Sequence, residues 1–258
     1  MTLKFKQISK KPNIKNPVLI EGLPGIGNVG KVAVDFIIDN LRAEKIYEIY
    51  SHSFPHSVLV NEENMVELPK ISIYYKKIKG KDILFMAGDI QPIDEVSCYE
   101  FCEKFLDLFE KMNGKEIITL GGIGLPHIPK SPKIYCTSND KKIVKEYRKK
   151  VKLNNGLYGV VGPIIGVSGL LLGLAKEREI PAICILAETL GHPTYIGVKG
   201  AREILRSLDG MFDLKLDFNK LNKEITEIEK DILSKPATEL KDLLKRGISK
   251  KEQVSYIG

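Results

Sequence analysis

At 258 residues the chain has room for one large α/β domain, or for a core with a small appendage. Hydrophobic residues at 43% and charged residues at 28% are ordinary globular values, which excludes a chain disordered along most of its length. Forty Lys and Arg against 33 Asp and Glu leave +7, an excess that permits an acidic partner or a nucleic acid and requires neither.

Met1 to Ile8 alternates apolar and charged residues, the pattern of a first strand and not of a secretory signal. Pro17 to Gly22 is a short apolar run closed by Gly22-Leu-Pro-Gly25, and Lys31 to Leu41 carries apolar residues at helical spacing, so a strand, a glycine loop and a helix follow one another. Ile46, Tyr47, Ile49 and Tyr50 predict a parallel strand over Lys45 to Ser51 that completes a βαβ unit. Between Ser57 and Lys77 the rhythm changes. Val58-Leu-Val60 and Ile71-Ser-Ile-Tyr-Tyr75 are strand-like runs parted by the polar turn Asn61-Glu-Glu-Asn64 and by Pro69, which predicts a hairpin or meander inserted beside the main sheet.

Ile83 to Asp89 reads as a buried strand, and a helix from Asp94 to Met112 carries Cys98, Phe101, Cys102, Phe105, Leu108, Phe109 and Met112 on one core stripe. Glu116 to Gly122 is the next strand, ending in Gly121-Gly-Ile-Gly124, and Lys133 to Ser138 is another. Asp140 to Lys150 is a strongly basic helix. Gly162-Pro163 opens a helix with Pro at its tolerated first position, Ile180 to Glu188 is a last buried strand, and a helix runs from about Val198 to Leu208. The alternation predicts an α/β fold, a mainly parallel sheet flanked by helices on both faces, over residues 1–212.

From Asn219 the composition turns to Lys, Glu, Ile and Leu, and Leu221, Ile225, Ile228 and Ile232 form a short a/d stripe suited to docking on the core or on a sister subunit. Ser234-Lys-Pro236 breaks it, a short helix follows from about Ala237 to Arg246, and residues 213–258 read as a helical extension with a tail. Pro163 to Ala175, the longest apolar run, falls short of the roughly 18 residues of a membrane span, so no membrane partner is expected. Cysteines at 98, 102, 136 and 184 form no C-x-x-C pair, which fits a reducing cytoplasm better than a disulfide framework or a zinc site.

Gly25-Ile-Gly27-Asn-Val-Gly30-Lys31 matches the dinucleotide fingerprint between a strand and a helix, and nearly matches a P-loop, where Val32 replaces the magnesium-binding hydroxyl. Glu44 and Glu48 lie near the place of a ribose-binding acid, yet neither ends the second strand. The other reading is a tight turn with close helix–sheet packing. Asp89, Glu188 and His192 sit at predicted strand ends, which converge on the ligand crevice of an open parallel sheet; they suit either an acid–base set or ordinary capping. Ser168 fails the nucleophile elbow, because Leu170 replaces the final glycine and because the segment reads as helix. Gly162, Gly166, Gly169 and Gly173 at 4-3-4 spacing make a bare face for close approach, from inside the chain or from a second subunit. Lys141, Lys142, Lys145, Arg148, Lys149, Lys150 and Lys152 lack an aromatic ladder and read as a solvated face, not a nucleic-acid surface. The last residues, Gln253 to Gly258, form an apolar tip whose aromatic anchor and carboxylate suit a partner's pocket or a back-docked end.

Taken in order, Gly22 to Gly30, Gly121 to Gly124, Gly162 to Gly173 and Ala187-Glu-Thr-Leu-Gly-His-Pro-Thr-Tyr195 resemble the archaeal branch of the proteasome assembly chaperone family over about residues 15 to 210. The resemblance implies an α/β sandwich akin to the nucleoside phosphorylase fold, no enzymatic activity, no cofactor, self-association as a homo-oligomer, and ATP-independent binding of proteasome α-subunits. It also implies a tail related to the hydrophobic-Tyr-any motif of proteasome activators. Val254, Tyr256, Ile257 and Gly258 are then the partner-binding candidates, with Tyr256 third from the end where the motif has it penultimate. A nucleotide- or nucleoside-dependent enzyme using the Gly25 to Lys31 loop is the alternative.

Overall fold

Four short runs with almost no exposed side chain set the layout. They are β2 (Val18–Glu21), β7 (Lys81–Gly88), β8 (Glu116–Leu125) and β10 (Ala182–Leu190). In the computed structural model, which describes residues 3–9, 12–154, 156–157, 162–219, 221–223 and 225–226, these runs lie side by side and parallel in the order β7-β2-β8-β10. Burial on both faces is what continuous aliphatic strands require.

The flanks are antiparallel. β1 (Lys4–Gln7), β3 (Glu44–Tyr50) and β6 (Ile71–Ile78) extend the sheet beyond β7, and β9 (Ile134–Ser138) closes it beyond β10, giving an eight-stranded order β1-β3-β6-β7-β2-β8-β10-β9. The sheet is therefore mixed, parallel only at its centre. The expected βαβ unit is corrected accordingly, since β3 does not pair with β2. The reason is the tight hairpin β6–β7, whose two-residue loop Lys79-Gly80 takes positive φ at both positions (47° and 80°) and wedges two strands between them. The meander expected beside the sheet thus splits: β6 joins the main sheet, while β4 (Leu59–Val60) and β5 (Val66–Glu67) form a separate two-stranded hairpin around the predicted polar turn.

Helices cover both faces. α1 (Val29–Leu41), α3 (Lys141–Arg148) and α5 (Val198–Phe212) bury one apolar layer, and α2 (Glu95–Glu110) with α4 (Val167–Glu177) bury the other. Cys98, Phe101, Cys102, Phe105 and Phe109 of α2 point inward as the periodicity predicted, and all four cysteines are buried and unpaired. At the far end of α4, Arg178 ties this layer together by ion pairs with Glu103, Asp107 and Glu110 of α2. Leu214, Leu216, Leu221 and Ile225 pack into the α1–α5 layer, whereas Ile228, Ile232 and residues 234–258 lie outside the described residues.

Two boundaries shift from the sequence reading. The helix expected from Gly162-Pro163 starts only at Val167, because Gly166 adopts φ 84° and turns the chain into α4. Gly162 and Gly166 are therefore outside the helix. Within it, a Cβ on Gly169 would meet the Ile164 carbonyl oxygen at 2.1 Å, while Gly173 faces open space, so the bare face is an internal contact at one position only. The strand expected to end at Gly122 runs on to Leu125, with Gly121, Gly122 and Gly124 paired to Leu186, Ala187 and Thr189 of β10.

Candidate functional site

The carboxyl ends of the parallel strands bring together the glycine loop, Asp89, Gln91, Glu188, the start of α4 and the turn after β10. The loop is a single 3-10 turn, Ile26–Asn28, leading into α1. Its second fingerprint glycine, Gly27, has φ 62° and gives its Cβ space to the Thr189 side chain, 2.7 Å away; its carbonyl accepts the Gly197 N–H at 2.7 Å. A Cβ on Gly30 would stand 2.5 Å from the Leu120 carbonyl oxygen, and one on Gly122 would stand 2.2 Å from that of Ile26. The glycines serve helix–strand contact. Lys31, the counterpart of a P-loop lysine, pairs with Asp35 one turn along α1 at 2.7 Å. Glu48, on β3, is held by Lys45 and Tyr50 of the same strand and by Lys70, with two strands standing between β3 and β2.

The acid–base trio does not assemble. Asp89 exchanges backbone and side-chain hydrogen bonds with Lys70, accepting from the Lys70 N–H at 3.4 Å. Glu188 lies within β10, not at its end, and accepts from the Lys133 N–H at 2.9 Å and the Tyr135 hydroxyl at 3.2 Å. His192 engages Thr194 through Nδ1. Asp89 and Glu188 tie neighbouring strands together, and His192 fixes its own turn.

A different polar centre lies beneath the loop. Glu21, the last residue of β2, is wholly buried in the layer facing α2 and α4, where its carboxyl accepts from the Leu23 N–H at 3.0 Å and from the Ser168 hydroxyl at 2.9 Å. Burial pushes its pKa up to about 7, with the two hydrogen bonds pulling the other way. Gln91 completes the lock: its Nε2 donates to the Pro24 carbonyl at 2.8 Å and its Oε1 accepts the Val167 N–H at 3.2 Å. Ser168 and Glu21 are both buried, so the pair joins β2 to the first turn of α4 and presents nothing to solvent. Sequence reasoning passed over Glu21 and Gln91, although a lone carboxylate ending an aliphatic strand was a readable signal. No group of three His, Cys, Asp or Glu among the described residues could hold a metal ion. The tail candidates Val254, Tyr256, Ile257 and Gly258 lie outside the described residues.

These features define a class: an α/β/α sandwich whose strand-end loops are closed by its own backbone and side chains. The chain belongs to the PAC2 family, whose model matches residues 19–234, the family to which the order of its glycine motifs points. Among solved structures it is similar to Pyrococcus furiosus PbaB, an archaeal proteasome activator, at 32% identity over 89% of this chain and 97% of that one, with a TM-score of 0.82. Pyrococcus furiosus PbaA, an archaeal homolog of proteasome-assembly chaperone, shares the fold at 24% identity and a TM-score of 0.72, over 90% of this chain and 95% of its own. An uncharacterized protein of Methanocaldococcus jannaschii is 28% identical over 100% of this chain and 97% of its own length.

Proposed function

We propose that this protein is a proteasome assembly chaperone or activator that binds proteasome α-subunits without ATP and works as a homo-oligomer in the cytoplasm. The observation that carries this reading is the likeness to PbaB along nearly the whole of both chains. The nucleoside-phosphorylase-like arrangement and the helical extension of residues 213–258 belong to the same reading. Val254, Tyr256, Ile257 and the Gly258 carboxylate are the contact residues, reaching the α-ring from an extension whose first part, Leu221 and Ile225, is anchored in the core. The packing of Gly27 against Thr189 and of Gly122 against Ile26 speaks against the nucleotide-dependent alternative, because the close approach a pyrophosphate needs is already taken. No described helix is long and apolar enough to cross a membrane.

Pull-down with proteasome α-subunits, using the full chain and a chain ending at Gln253, tests the reading. The full chain should capture them equally with and without ATP, and the shortened chain should lose at least tenfold in affinity. Equal capture by both chains would remove the tail from the mechanism, and capture by neither would end the proteasome reading.

A further inference from the structure

The β4–β5 hairpin carries apolar side chains with nothing over them. Val60 pairs with Val66 and Leu59 with Glu67, so alternation sets Val58, Val60, Val66 and Leu68 on one face. These four are 54%, 66%, 66% and 63% exposed. The other face is mixed: exposed Leu59 and Met65 stand beside Asn61, which donates to Glu67, and Glu67 pairs with Lys70. A lone two-stranded hairpin is marginal in water, yet its tip is well built. The Asn61 side chain accepts from the Glu63 and Met65 N–H groups at 3.0 and 2.9 Å, and Asn64 takes φ 59°. That tip projects Glu62 and Glu63, both exposed and without an ion-pair partner among the described residues.

At the opposite edge of the sheet the complement is present. A groove of about 350 Å³ runs between edge strand β9 and α3, floored by Cys136 and Val144 and walled by Lys141, Lys145 and Arg148, with Asp140 also lining it, its carboxylate accepting from the Lys142 N–H. These three cations are exposed and make no ion pair among the described residues, and their alkyl stems offer apolar contact beside the charge.

We infer that the acidic tip and aliphatic face of the β4–β5 hairpin dock in the β9–α3 groove of a second copy of this chain. Glu62 and Glu63 meet Lys141, Lys145 and Arg148, while the aliphatic face covers Val144 and the lysine stems. Because hairpin and groove lie toward opposite edges of one sheet, the contact is head-to-tail, each copy offering its hairpin to the next and its groove to the one before. This rests on the self-association proposed above and supplies its surface.

Light scattering on the full chain, with no proteasome subunit present, tests it. The wild type should assemble, while E62K/E63K and K141E/K145E should each fall to monomer mass, with at least a tenfold weaker association. An equimolar mixture of the two variants should assemble again, since every contact between unlike variants joins opposite charges. The contact is overturned by a monomeric wild type, by either variant keeping the wild-type mass, or by a mixture that stays monomeric. Capture of α-subunits is scored separately. A monomeric wild type whose capture is lost in E62K/E63K assigns the hairpin to the proteasome and overturns the copy-to-copy contact. Assembly with the expected charge pattern but no capture leaves the contact standing and ends the proteasome reading.

Discussion

The glycine edge and the β4–β5 hairpin both hold backbone at the carboxyl end of the sheet, and they solve opposite problems. At the glycine edge every approach is internal: Gly27 meets Thr189, Gly122 meets Ile26, and Gln91 bridges Pro24 to Val167. In the hairpin the backbone is ordered locally by Asn61, but the aliphatic side chains of Val60, Val66 and Leu68 stay mostly exposed. The difference separates a region shaped to hold the monomer together from one shaped to be covered. Pattern alone left the glycine loop open to two readings, a phosphate site or a tight turn, and did not single out the hairpin as a surface.

The largest effect expected from this contrast follows Gly122→Val. The new Cβ would stand 2.2 Å from the Ile26 carbonyl oxygen, a backbone atom held in the turn that starts α1. Urea denaturation should show a loss of about 3 kcal/mol or more, at the upper end of overpacking penalties. A loss under about 1 kcal/mol would mean the loop yields easily, and the two regions would no longer differ in kind.

Next in size is the pH dependence set by Glu21. Its folded pKa of about 7 lies above the ordinary 4.5, so the folded state keeps a proton that the unfolded chain releases first. Stability from this group is complete below about pH 4.5 and declines as pH rises through 7, by up to about 3 kcal/mol at 1.36 kcal/mol per unit. Glu21→Gln keeps an oxygen for the Leu23 N–H, sets its amide N–H to donate to the Ser168 hydroxyl oxygen, and removes the titrating proton. Its stability should run flatter than that of the wild type between pH 5 and 7.5. Parallel curves would show that Glu21 is not buried as a neutral acid.

Gln91→Ala sharpens the same side of the comparison at a smaller scale. It leaves the Pro24 carbonyl and the Val167 N–H without their side-chain partner, and two part-buried hydrogen bonds of this kind are worth about 1–2 kcal/mol. Thermal denaturation of Gln91→Ala beside Gln91→Glu, which retains the acceptor for Val167, apportions the loss between the two bonds.

How far the sequence could be read differs by the same division. The buried strands, the core stripe of α2 and the basic α3 were legible because burial leaves a periodic record in side-chain type. Strand neighbours were not, since Lys79-Gly80 and its two positive φ values place β6 and β7 between β2 and β3, and a tight turn says nothing about which strand lies beyond. The start of α4 was misplaced because Pro163 fits a first helical position, while the deciding feature is the φ of Gly166. The Glu21–Ser168 pair joins residues 147 apart in sequence, a distance no local pattern spans. Of the hairpin, Val58 to Val60 and the polar turn were legible, whereas β5 was not, because its two residues are too short to leave a pattern and only the fold shows Val58, Val60 and Val66 uncovered.

The smallest expected effect tests the hairpin side directly. Val60 is 66% exposed, so Val60→Thr removes little buried surface from the monomer, and a surface change of this kind stays within about 0.5 kcal/mol. In dilute solution the melting curves of variant and wild type should overlap. At higher concentration they should part, because an assembly that binds only the folded chain raises Tm with concentration, and the threonine hydroxyl weakens the aliphatic contact that drives it. A Val60→Thr protein that loses 2 kcal/mol even when dilute would place Val60 in the monomer's own core. The hairpin would then stand with the glycine edge as a closed element, and the contrast between the two regions would fail.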